Sequence, residues 1–394
     1  MKYKTYTMEE ALDAIIDYRG KTPKKSESGI PTLSAKTVRN NFIDYNNCYY
    51  ISEEEYKRFM VRGFPKVGDI LLTTEAPLGM TAKLNRADVA LAQRLLTLRG
   101  KSDILDNDYL LYFLQSPKGQ HLLKSHETGT TVTGIKQAVF RKLEISIPSI
   151  TIQKQIAIIL SSIDEKISVN TKINENLEQQ AQAIFKSWFV DFEPFGGVMP
   201  DDWKSANLLD IADYLNGLAM QKYRPVNDEV GLPVLKIKEL RQGFCDDNSE
   251  LCSPNIKGDY IVQDGDVIFS WSGSLLVDFW CGGKCGLNQH LFKVSSKSFD
   301  KWFYYIWTKY HLNRFIAIAA DMATTMGHIK RSELEKSLVL IPNETDYVEI
   351  GNLLKPIYET IIINRIENQR LATLRDTLLP KLMNGEIDVS KVRI

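Results

Sequence analysis

The sequence predicts an α+β protein in which two mixed α/β domains are separated by two long, antiparallel coiled-coil helices. The main sign is an internal repeat at an offset of about 194 residues, which aligns Ile147-Pro148 with Ile341-Pro342 and Asn170 with Asn364. Each copy contains a globular segment followed by a heptad-patterned helix. The duplication predicts a pseudo-two-fold molecule, and such molecules commonly address targets made of two parts.

Composition places the chain among ordinary globular proteins. With 394 residues, 44% hydrophobic and 25% charged, it is long enough for two domains that each have a core. No run approaches about 18 uninterrupted apolar residues, and the polar start predicts neither export nor a membrane span. The cysteines number five, and this odd count suits reduced thiols. We therefore expect a cytoplasmic protein.

The charge balance argues against a protein that holds nucleic acid alone. Lys plus Arg and Asp plus Glu both number 49, so the net charge is zero. Residues 1–149 have 22 basic and 17 acidic side chains, a net of +5, and the later segments are each slightly acidic. Strong unaided binding to phosphates normally requires a basic surface. If the chain binds DNA, we expect partners to supply much of the phosphate contact.

A first long helix is predicted by apolar residues that alternate in steps of three and four. The segment between Ile150 and Val190 contains no Pro or Gly, so about 40 residues can form a rod of roughly 60 Å. The residues expected to pair with the second helix are Ile156, Leu160, Ile163, Ile167, Asn170 and Leu177.

A second long helix shows the same pattern less regularly. Pro356 interrupts it, which predicts a kink or a late start. The residues expected to pair with the first helix are Leu354, Ile357, Ile361, Asn364 and Leu371.

The link between the two halves determines how the helices run. Only a short stretch with Pro and Gly separates the end of the first helix, near Asp191, from the next domain at Trp203. The second helix must then run back along the first to bury its seam, which makes the pair antiparallel. Asn170 and Asn364 fall on the seam, so we interpret them as a register-setting polar layer; a solvated helix position is the alternative.

These features divide the chain into four expected segments. They are a globular domain at 1–149, a spacer helix at 150–195, a second globular domain at 196–342, and a second spacer helix with a C-terminal tail at 343–394.

Inside the domains, matched patterns predict a mixed α/β fold. The segments 68–73 and 265–270 read as a turn into a buried strand. The segments 108–120 and 299–315 read as amphipathic helices, and we expect their aromatic side chains to pack in the core rather than to stack on bases.

Several strings resemble the specificity subunits of type I restriction-modification systems. The order of domain, helix, domain, helix is similar too, and the resemblance spans the whole chain. The strings are Ile147-Pro148, Gln153-Lys154-Gln155-Ile156-Ala157, Asp164-Glu165-Lys166-Ile167, Asn174-Glu175-Asn176-Leu177, Phe185-Lys186-Ser187-Trp188-Phe189-Val190-Asp191-Phe192 and Leu378-Leu379-Pro380-Lys381-Leu382-Met383-Asn384-Gly385.

The resemblance implies a non-catalytic reader of double-stranded DNA. In this family each globular part is a target recognition domain that reads one half of a split, asymmetric sequence. The paired helices hold the halves apart and dock two copies of a methyltransferase subunit, which binds S-adenosylmethionine and methylates adenine N6. A motor-nuclease subunit adds cleavage. The chain itself is then expected to bind no cofactor.

The sequence contains no common catalytic motif, as such a reader requires. The Asn-Pro-Pro-Phe and Asp-Pro-Pro-Tyr strings of amino-methyltransferases, the phosphate-binding glycine loops and the zinc-protease motif are all missing. Two other classes stay open: a coiled-coil scaffold that joins two ligand- or protein-binding domains without touching DNA, which the neutral charge favours, and a self-contained nuclease or methyltransferase.

The first candidate DNA contacts lie in two threonine-rich runs at matching places in the domains. Each run combines glycine, hydroxyl groups and a terminal lysine, which suits a loop against phosphates or base edges. A turn with hydroxyl caps is the alternative. The residues are Thr130, Thr131, Thr133 and Lys136 in the first run, and Thr324, Thr325, His328 and Lys330 in the second.

A second set of candidates follows a buried strand in each domain, namely Gln93 with Arg94 and Gln289 with His290. Gln can read adenine and Arg guanine in the major groove, and the different neighbour, Arg or His, suits two different half-sites. Outward polar residues on a half-buried strand are the alternative interpretation.

Four cysteines in the second domain raise the question of a zinc site. Their spacings do not match zinc knuckles, so free buried thiols and no metal are the preferred interpretation. The residues are Cys245, Cys252, Cys281 and Cys285.

Overall fold

The structure is a computed structural model in which the chain forms two compact units. Unit 1 contains Met1–Glu165 and Ala372–Ile394, and unit 2 contains Lys166–Leu371. Both long helices therefore contribute one end to each unit. The residues that the structure describes are 2–20, 22–129, 133–226, 228–321, 327–390 and 392.

Unit 1 consists of short strands, short helices and the ends of the long helices. Its strands are β1 (Lys4–Thr7), β2 (Leu12–Asp17), β3 (Ile30–Leu33), β4 (Val38–Arg39), β5 (Phe42–Ile43), β6 (Tyr49–Ile51), β7 (Ile70–Thr74), β8 (Leu78–Lys83), β9 (Ala90–Leu91), β10 (Leu95–Gly100) and β11 (Glu144–Ile147). Its helices are α1 (Met8–Ala11), α2 (Glu53–Phe59), α3 (Asn107–Gln115), α4 (Pro117–Lys124), α5 (Gln137–Arg141) and the start of the first long helix, α6 (Ile150–Phe189).

The main sheet of unit 1 is antiparallel, with strand order β2-β10-β7-β8. A smaller sheet, β6-β3-β9, contains the parallel pair β3 and β9, and β1 pairs with β11. Strand β7 is the buried strand predicted after Gly68, and every one of its residues is buried. Its apolar side chains fill the cores on both faces of the main sheet.

Unit 2 has a similar order of elements. Its strands are β12 (Lys204–Asn207), β13 (Asp213–Asn216), β14 (Leu232–Leu235), β15 (Leu251–Cys252), β16 (Ile261–Val262), β17 (Val267–Ser270), β18 (Leu276–Phe279), β19 (Cys285–Leu287), β20 (Leu291–Ser295) and β21 (Leu338–Ile341). Its helices are α7 (Leu208–Ile211), α8 (Ile237–Gln242), α9 (Lys301–Tyr310), α10 (Leu312–Asp321), α11 (Ser332–Glu335) and most of the second long helix, α12 (Glu344–Met383).

The main sheet of unit 2 matches that of unit 1 strand for strand, whereas its smaller sheet has one strand more. The main sheet has the order β13-β20-β17-β18, the smaller sheet is β15-β14-β19-β16 with β14 and β19 parallel, and β12 pairs with β21. This agreement confirms the internal repeat and the mixed fold of both domains.

The two aromatic helices predicted in the domains are each broken into two. In unit 1 the break is at Ser116, which ends α3 and caps α4, and Pro117 occupies the first turn of α4. Pro117 has no backbone N–H and its ring would clash with the preceding turn, which disfavours continuing α3 through it. In unit 2 the break is at His311, whose ring lies 2.8 Å from the Leu338 carbonyl through Nε2.

The aromatic side chains of these helices pack in the cores, as predicted. Except for Tyr310 at the exposed end of α9, those of α3 and α9 are buried, with ring contacts to neighbouring helices and strands. They include Tyr109, Tyr112 and Phe113 in α3, and Trp302, Tyr304 and Trp307 in α9.

Within unit 2, the long helices pair in the antiparallel sense. Asn170 is 1% exposed and donates hydrogen bonds to Asn368 at 2.9 Å and to Glu367 at 2.7 Å. Asn364 donates to Asn174 at 2.9 Å, so moving forward along α6 means moving backward along α12. The predicted polar layer therefore lies on the seam rather than in solvent.

Within unit 1, the other ends of the same helices also pair. Arg375 of α12 contacts Asp164 of α6 at 2.8 Å, and the Tyr112 hydroxyl donates to Asp164 at 2.7 Å. Ile156 and Leu160 are completely buried in the same core as the end of α12. The domain is thereby attached to both helices at once.

Helix α12 begins at Glu344, so the late start predicted from Pro356 is wrong. Burial of apolar side chains stabilises the helical turns before the proline, because Ile350 and Leu354 are completely buried in the core of unit 2. Pro356 deprives the Asn352 carbonyl of its helical partner, but both residues are exposed. Water can satisfy that carbonyl, which reduces the cost of the interruption.

The described helices do not include a candidate membrane span. None in the described ranges combines the length and the apolar composition that crossing a bilayer requires.

Candidate nucleic-acid interface

In unit 1, the two sets of candidate DNA contacts meet at the end of β7. The backbone N–H of Thr74 donates to the Arg94 carbonyl at 3.0 Å, and Ile135 N–H donates to the Thr74 carbonyl at 3.0 Å. The next residue, Glu75, forms a backbone bridge with Gly134. The turn with Gln93 and Arg94 therefore lies beside the threonine-rich run.

Gly134 is needed for this close approach. A Cβ at position 134 would lie 2.6 Å from the Thr74 carbonyl oxygen and 2.8 Å from the Glu75 Cβ. Any larger residue would push the threonine-rich run away from the end of β7. The glycine in that run thus serves backbone contact, which the sequence could not distinguish from simple loop flexibility.

Three side chains that sequence reasoning missed complete this edge of unit 1. Thr22 accepts a hydrogen bond from Gln93 Nε2 at 2.7 Å, and Arg19 donates to the Ile135 carbonyl at 3.0 Å. Glu75 forms an ion pair with Arg94, with Oε1 and Nε 2.6 Å apart. No local pattern marks these residues, because each contact joins segments that are far apart in the sequence.

The edge of unit 1 combines cations with polar groups. Arg94, Thr133 and Lys136 are exposed, and Gln93 and Arg19 are half-buried. Guanidinium, ammonium, amide and hydroxyl groups are the side-chain groups that contact phosphates and base edges in DNA. The arrangement therefore suits a nucleic-acid contact.

Unit 2 builds the same edge from different residues. Trp271 N–H donates to the His290 carbonyl at 3.4 Å, and Ile329 N–H donates to the Trp271 carbonyl at 3.1 Å. Ser272 forms a backbone bridge with His328, in the place of the bridge between Glu75 and Gly134. The backbone connections of unit 1 are thus repeated.

The side chains of this second edge are aromatic and polar. The Trp271 ring lies 6.1 Å from that of His290 and 6.3 Å from that of His328, and its indole N–H donates to Asn216 at 3.0 Å. Ser272 Oγ lies 3.0 Å from His290 Nδ1. Trp271, Ser272 and Asn216 were not identified from the sequence, since each belongs to a turn or strand end without a motif.

The remaining candidates of unit 2 differ in exposure. His328 and Lys330 are exposed, whereas Gln289 is half-buried. Gln289 Oε1 is buried and has no hydrogen-bond partner within the described ranges.

Four of the candidate threonines cannot be placed on either edge. Thr130, Thr131, Thr324 and Thr325 lie outside the described residues.

Gln93, Arg94, Gln289 and His290 do not lie on half-buried strands. Gln93 and Arg94 occupy the turn between β9 and β10, and Gln289 and His290 occupy the turn between β19 and β20. Arg94 has a φ of 69°, in the left-handed region that non-glycine residues seldom adopt. Side chains on turns at a sheet end are better placed to enter a groove than side chains on the sheet face.

The cysteines of unit 2 are free thiols. Cys252, Cys281 and Cys285 are buried, and burial raises the pKa of Cys281 to about 12. A hydrogen bond with Cys285 lowers the pKa of Cys245, while burial raises that of Cys285. Within the part of the chain that the structure describes, no group of three or more His, Cys, Asp or Glu residues could hold a metal ion.

Comparison with known proteins identifies related chains. Residues 4–179 and 200–373 match the family model described as type I restriction modification DNA specificity domain. The type I restriction enzyme MjaIX specificity subunit of Methanocaldococcus jannaschii is 30% identical over 395 residues, which cover 92% of this chain and 88% of that protein. The EcoKI specificity subunit of Escherichia coli is 26% identical, with 97% of this chain and 86% of that protein covered.

A solved structure supports the same fold. The S subunit of a type I restriction-modification system from M. genitalium superimposes with a TM-score of 0.60 at 14% identity, over 97% of this chain and 96% of that chain.

Proposed function

Because the chain belongs to the type I restriction-modification DNA specificity family, we propose that it reads a bipartite, asymmetric DNA target, one part with each domain. Members of the family are non-catalytic subunits that confer DNA sequence specificity, and this chain is one of them. The split target and the positioning of partner subunits on it go further and are our proposal.

The observation that carries the proposal is the repeated edge with different side chains. In both units a turn and a threonine-rich run meet at the end of a buried strand through equivalent backbone contacts. The side chains are an ion pair of Arg94 and Glu75 in one unit, and a cluster of Trp271, His290 and Ser272 in the other. A common scaffold with unlike side chains is expected to read two unlike base sequences.

We assign the candidate residues to two roles in this reading. Cations and hydroxyls are proposed to contact phosphates, and the polar residues of the turns are proposed to contact base edges. The phosphate group comprises Thr130, Thr131, Thr133, Lys136, Thr324, Thr325, His328 and Lys330. The base group comprises Gln93, Arg94, Gln289 and His290.

The helices and the charge balance define the proposed role of partners. We propose that residues 150–195 and 343–394 act as spacers between recognition domains at 1–149 and 196–342 and dock two methyltransferase subunits, and that a motor-nuclease subunit joins the complex to add cleavage. The zero net charge supports this arrangement, since the partners would supply much of the contact with phosphates. S-adenosylmethionine would bind to the methyltransferase subunit, not to this chain.

The proposal is tested by expressing the chain with its methyltransferase partner in a host that lacks adenine methylation. Sequencing of the host DNA should show N6-methyladenine within one two-part motif with a fixed spacer. The partner alone should methylate no motif, and the purified chain alone should transfer no methyl group from labelled S-adenosylmethionine. Absence of any motif, together with no binding of the assembled complex to random duplex DNA, would favour a scaffold that does not contact DNA.

A further inference from the structure

In each unit, a side chain from a neighbouring turn holds the residue expected to reach a base. Glu75 contacts Arg94 at 2.6 Å, and Ser272 Oγ lies 3.0 Å from His290 Nδ1. Glu75 and Ser272 are also the residues whose backbones bridge to the threonine-rich run of their own unit. The two pairs therefore occupy equivalent places, although one joins a carboxylate to a guanidinium and the other a hydroxyl to an imidazole.

The backbone around the first pair is held in an unfavourable conformation. Among the described residues, the non-glycine positions with positive φ are Asn41, Ala76, Arg94 and Phe192. Two of these lie at the contact between Glu75 and Arg94: Ala76, which follows Glu75, has a φ of 51°, and Arg94 itself has a φ of 69°. Strained positions of this kind persist where the surrounding structure imposes them, and they are concentrated at functional sites.

Stability does not explain the ion pair. The side chain of Arg94 is 52% exposed and that of Glu75 is 35% exposed, and ion pairs with this exposure contribute little to folding. A carboxylate on a DNA-facing edge is also repelled by phosphates. Its presence is explained if it weakens unspecific contacts of Arg94 with phosphates and fixes the orientation of the guanidinium.

The geometry leaves Arg94 able to read a base. Glu75 contacts the guanidinium through Nε, and the fork of Nη1 and Nη2 has the shape that matches O6 and N7 of guanine. In unit 2, contact of Nδ1 with Ser272 orients the imidazole of His290 and directs Nε2 toward Gln289, at 3.4 Å from its amide nitrogen. The second pair thus fixes an imidazole where the first fixes a guanidinium.

We propose that Glu75 and Ser272 are specificity-determining positioning residues, each of which aims the base-reading side chain of its own domain at one base of the target. This inference rests on the proposed function, because it requires that the two edges read DNA. It assigns a role to two residues that are not themselves expected to contact a base.

The test compares methylation motifs made by the complete complex of this chain with its methyltransferase partner. Glu75→Gln keeps the size of the side chain and removes its charge, and Ser272→Ala removes the hydroxyl. We expect Glu75→Gln to relax one position in one part of the motif, with preference for the correct base reduced at least about fivefold. Ser272→Ala should relax one position in the other part only, so each variant is the control of the other.

Three further variants separate positioning from a general effect. Arg94→Ala should change the same motif position as Glu75→Gln, while Glu75→Asp should retain more of the wild-type preference. Asp88→Asn removes the exposed contact of Arg86 with Asp88, at 2.7 Å, and should leave the motif unchanged. That ion pair follows Lys83, the end of β8 that pairs with Ile70 at the start of β7. Glu75 follows Thr74, at the other end of β7.

The possible outcomes distinguish failure of the proposed function from failure of the positioning role. If the wild-type complex methylates no two-part motif, the proposed function fails. If the wild-type motif appears and both Glu75→Gln and Ser272→Ala reproduce it, the positioning role is overturned. The role also fails if Glu75→Gln and Arg94→Ala alter different positions. Where a variant methylates poorly, selection of bound sequences from a random duplex library by the purified complex gives the same comparison without catalysis.

Discussion

Asn174 and Asn364 hydrogen bond to each other at 2.9 Å across the paired helices, and Asn170 and Asn368 do the same at 2.9 Å. Asn170 and Asn174 precede Asn364 and Asn368 by 194 residues, which is the offset of the internal repeat. The repeat therefore maps the pair of Asn174 and Asn364 onto the pair of Asn368 and Asn170. The two pairs therefore mark the centre of the internal symmetry of the helix pair. Asn174 Nδ2 also donates to the Ile361 carbonyl at 3.2 Å, which leaves the side chain well satisfied.

This polar layer should fix the register of the two helices at a cost in stability. Asn364→Leu alone leaves buried Asn174 without a donor and should cost about 1–3 kcal/mol, visible as a lower Tm. Asn174→Leu combined with Asn364→Leu should recover the Tm and exceed that of the wild type, because apolar seams are more stable. Asn176→Leu, at an exposed position of the same helix, is the control. A double variant no more stable than the single one would contradict this account.

The helix pair should also become less stable in acid through Glu367. Hydrogen bonds from Asn170 and Lys166 lower the pKa of Glu367 below its ordinary value of 4.5. A carboxyl whose pKa is lower in the folded chain stabilises that state above the unfolded pKa, and the effect is lost as the pH falls through the folded pKa. The difference in Tm between wild type and Glu367→Gln should be constant above about pH 5.5 and should disappear in acid. Glu175→Gln, exposed on the first helix, is the control, and its difference in Tm from wild type should not shrink in acid.

Lys136 and Lys330 should contribute to DNA binding through counterion release. Both are exposed at the edges of their units. Replacing either with Ala should weaken binding by the assembled complex, and each should lower the slope of log affinity against log salt by about one unit. The measurement is a salt titration with the duplex that carries the methylated motif. Unchanged slopes in both variants would assign the threonine-rich runs to structure.

Residues 1–195 alone should pair with a second copy of themselves. Another α6 would replace the lost α12, and Ile156, Leu160, Ile163 and Ile167 would again form the seam. Because both recognition domains would be identical, the assembly with its methyltransferase should modify an inverted repeat of the first half-site. Sedimentation decides the matter, since a stable monomer at micromolar concentration would show that the duplication does not carry functional symmetry.

The structure shows a steric obstacle to this self-pairing and indicates the substitutions that would remove it. Leu379, Leu382 and Met383 of α12 pack in unit 1, and their repeat positions in α6 are Phe185, Trp188 and Phe189. These larger rings would overpack the pockets in a pair of identical fragments. The triple variant Phe185→Leu, Trp188→Leu and Phe189→Met should therefore dimerise more tightly than the unmodified fragment, as measured by the same sedimentation experiment.

Features that depend on local patterns could be predicted closely. The first long helix was expected from Ile150 to about Val190 and runs from Ile150 to Phe189, because heptad spacing without Pro or Gly is a strong local signal. Of the kink or late start expected from Pro356, the late start is wrong, since the cost of the proline depends on whether the freed carbonyl reaches water. That depends on tertiary structure, which the sequence pattern does not contain.

The contacts of the candidate site could not be predicted in this way. Glu75 and Arg94 are 19 positions apart and meet only because β7 and β10 are neighbours in the sheet. Gln153 and Tyr347 show the same difficulty: they occupy matching repeat positions and accept the equivalent N–H groups of Asp106 at 3.0 Å and Asp300 at 2.9 Å. An amide oxygen and a phenol oxygen fulfil one role, so residue identity does not reveal the contact.

The division of the long helices between the units has a consequence for synthesis of the chain. The core of unit 1 includes Leu379, Leu382, Met383 and Val389, which are translated only after the whole of unit 2. Unit 2 lies wholly within Lys166–Leu371 and can close before them. At typical elongation rates the first domain must wait on the order of 10 to 50 s for its missing side chains. A ribosome that stalls just after Leu371 would thus leave the first domain, rather than the second, incomplete and exposed to proteases.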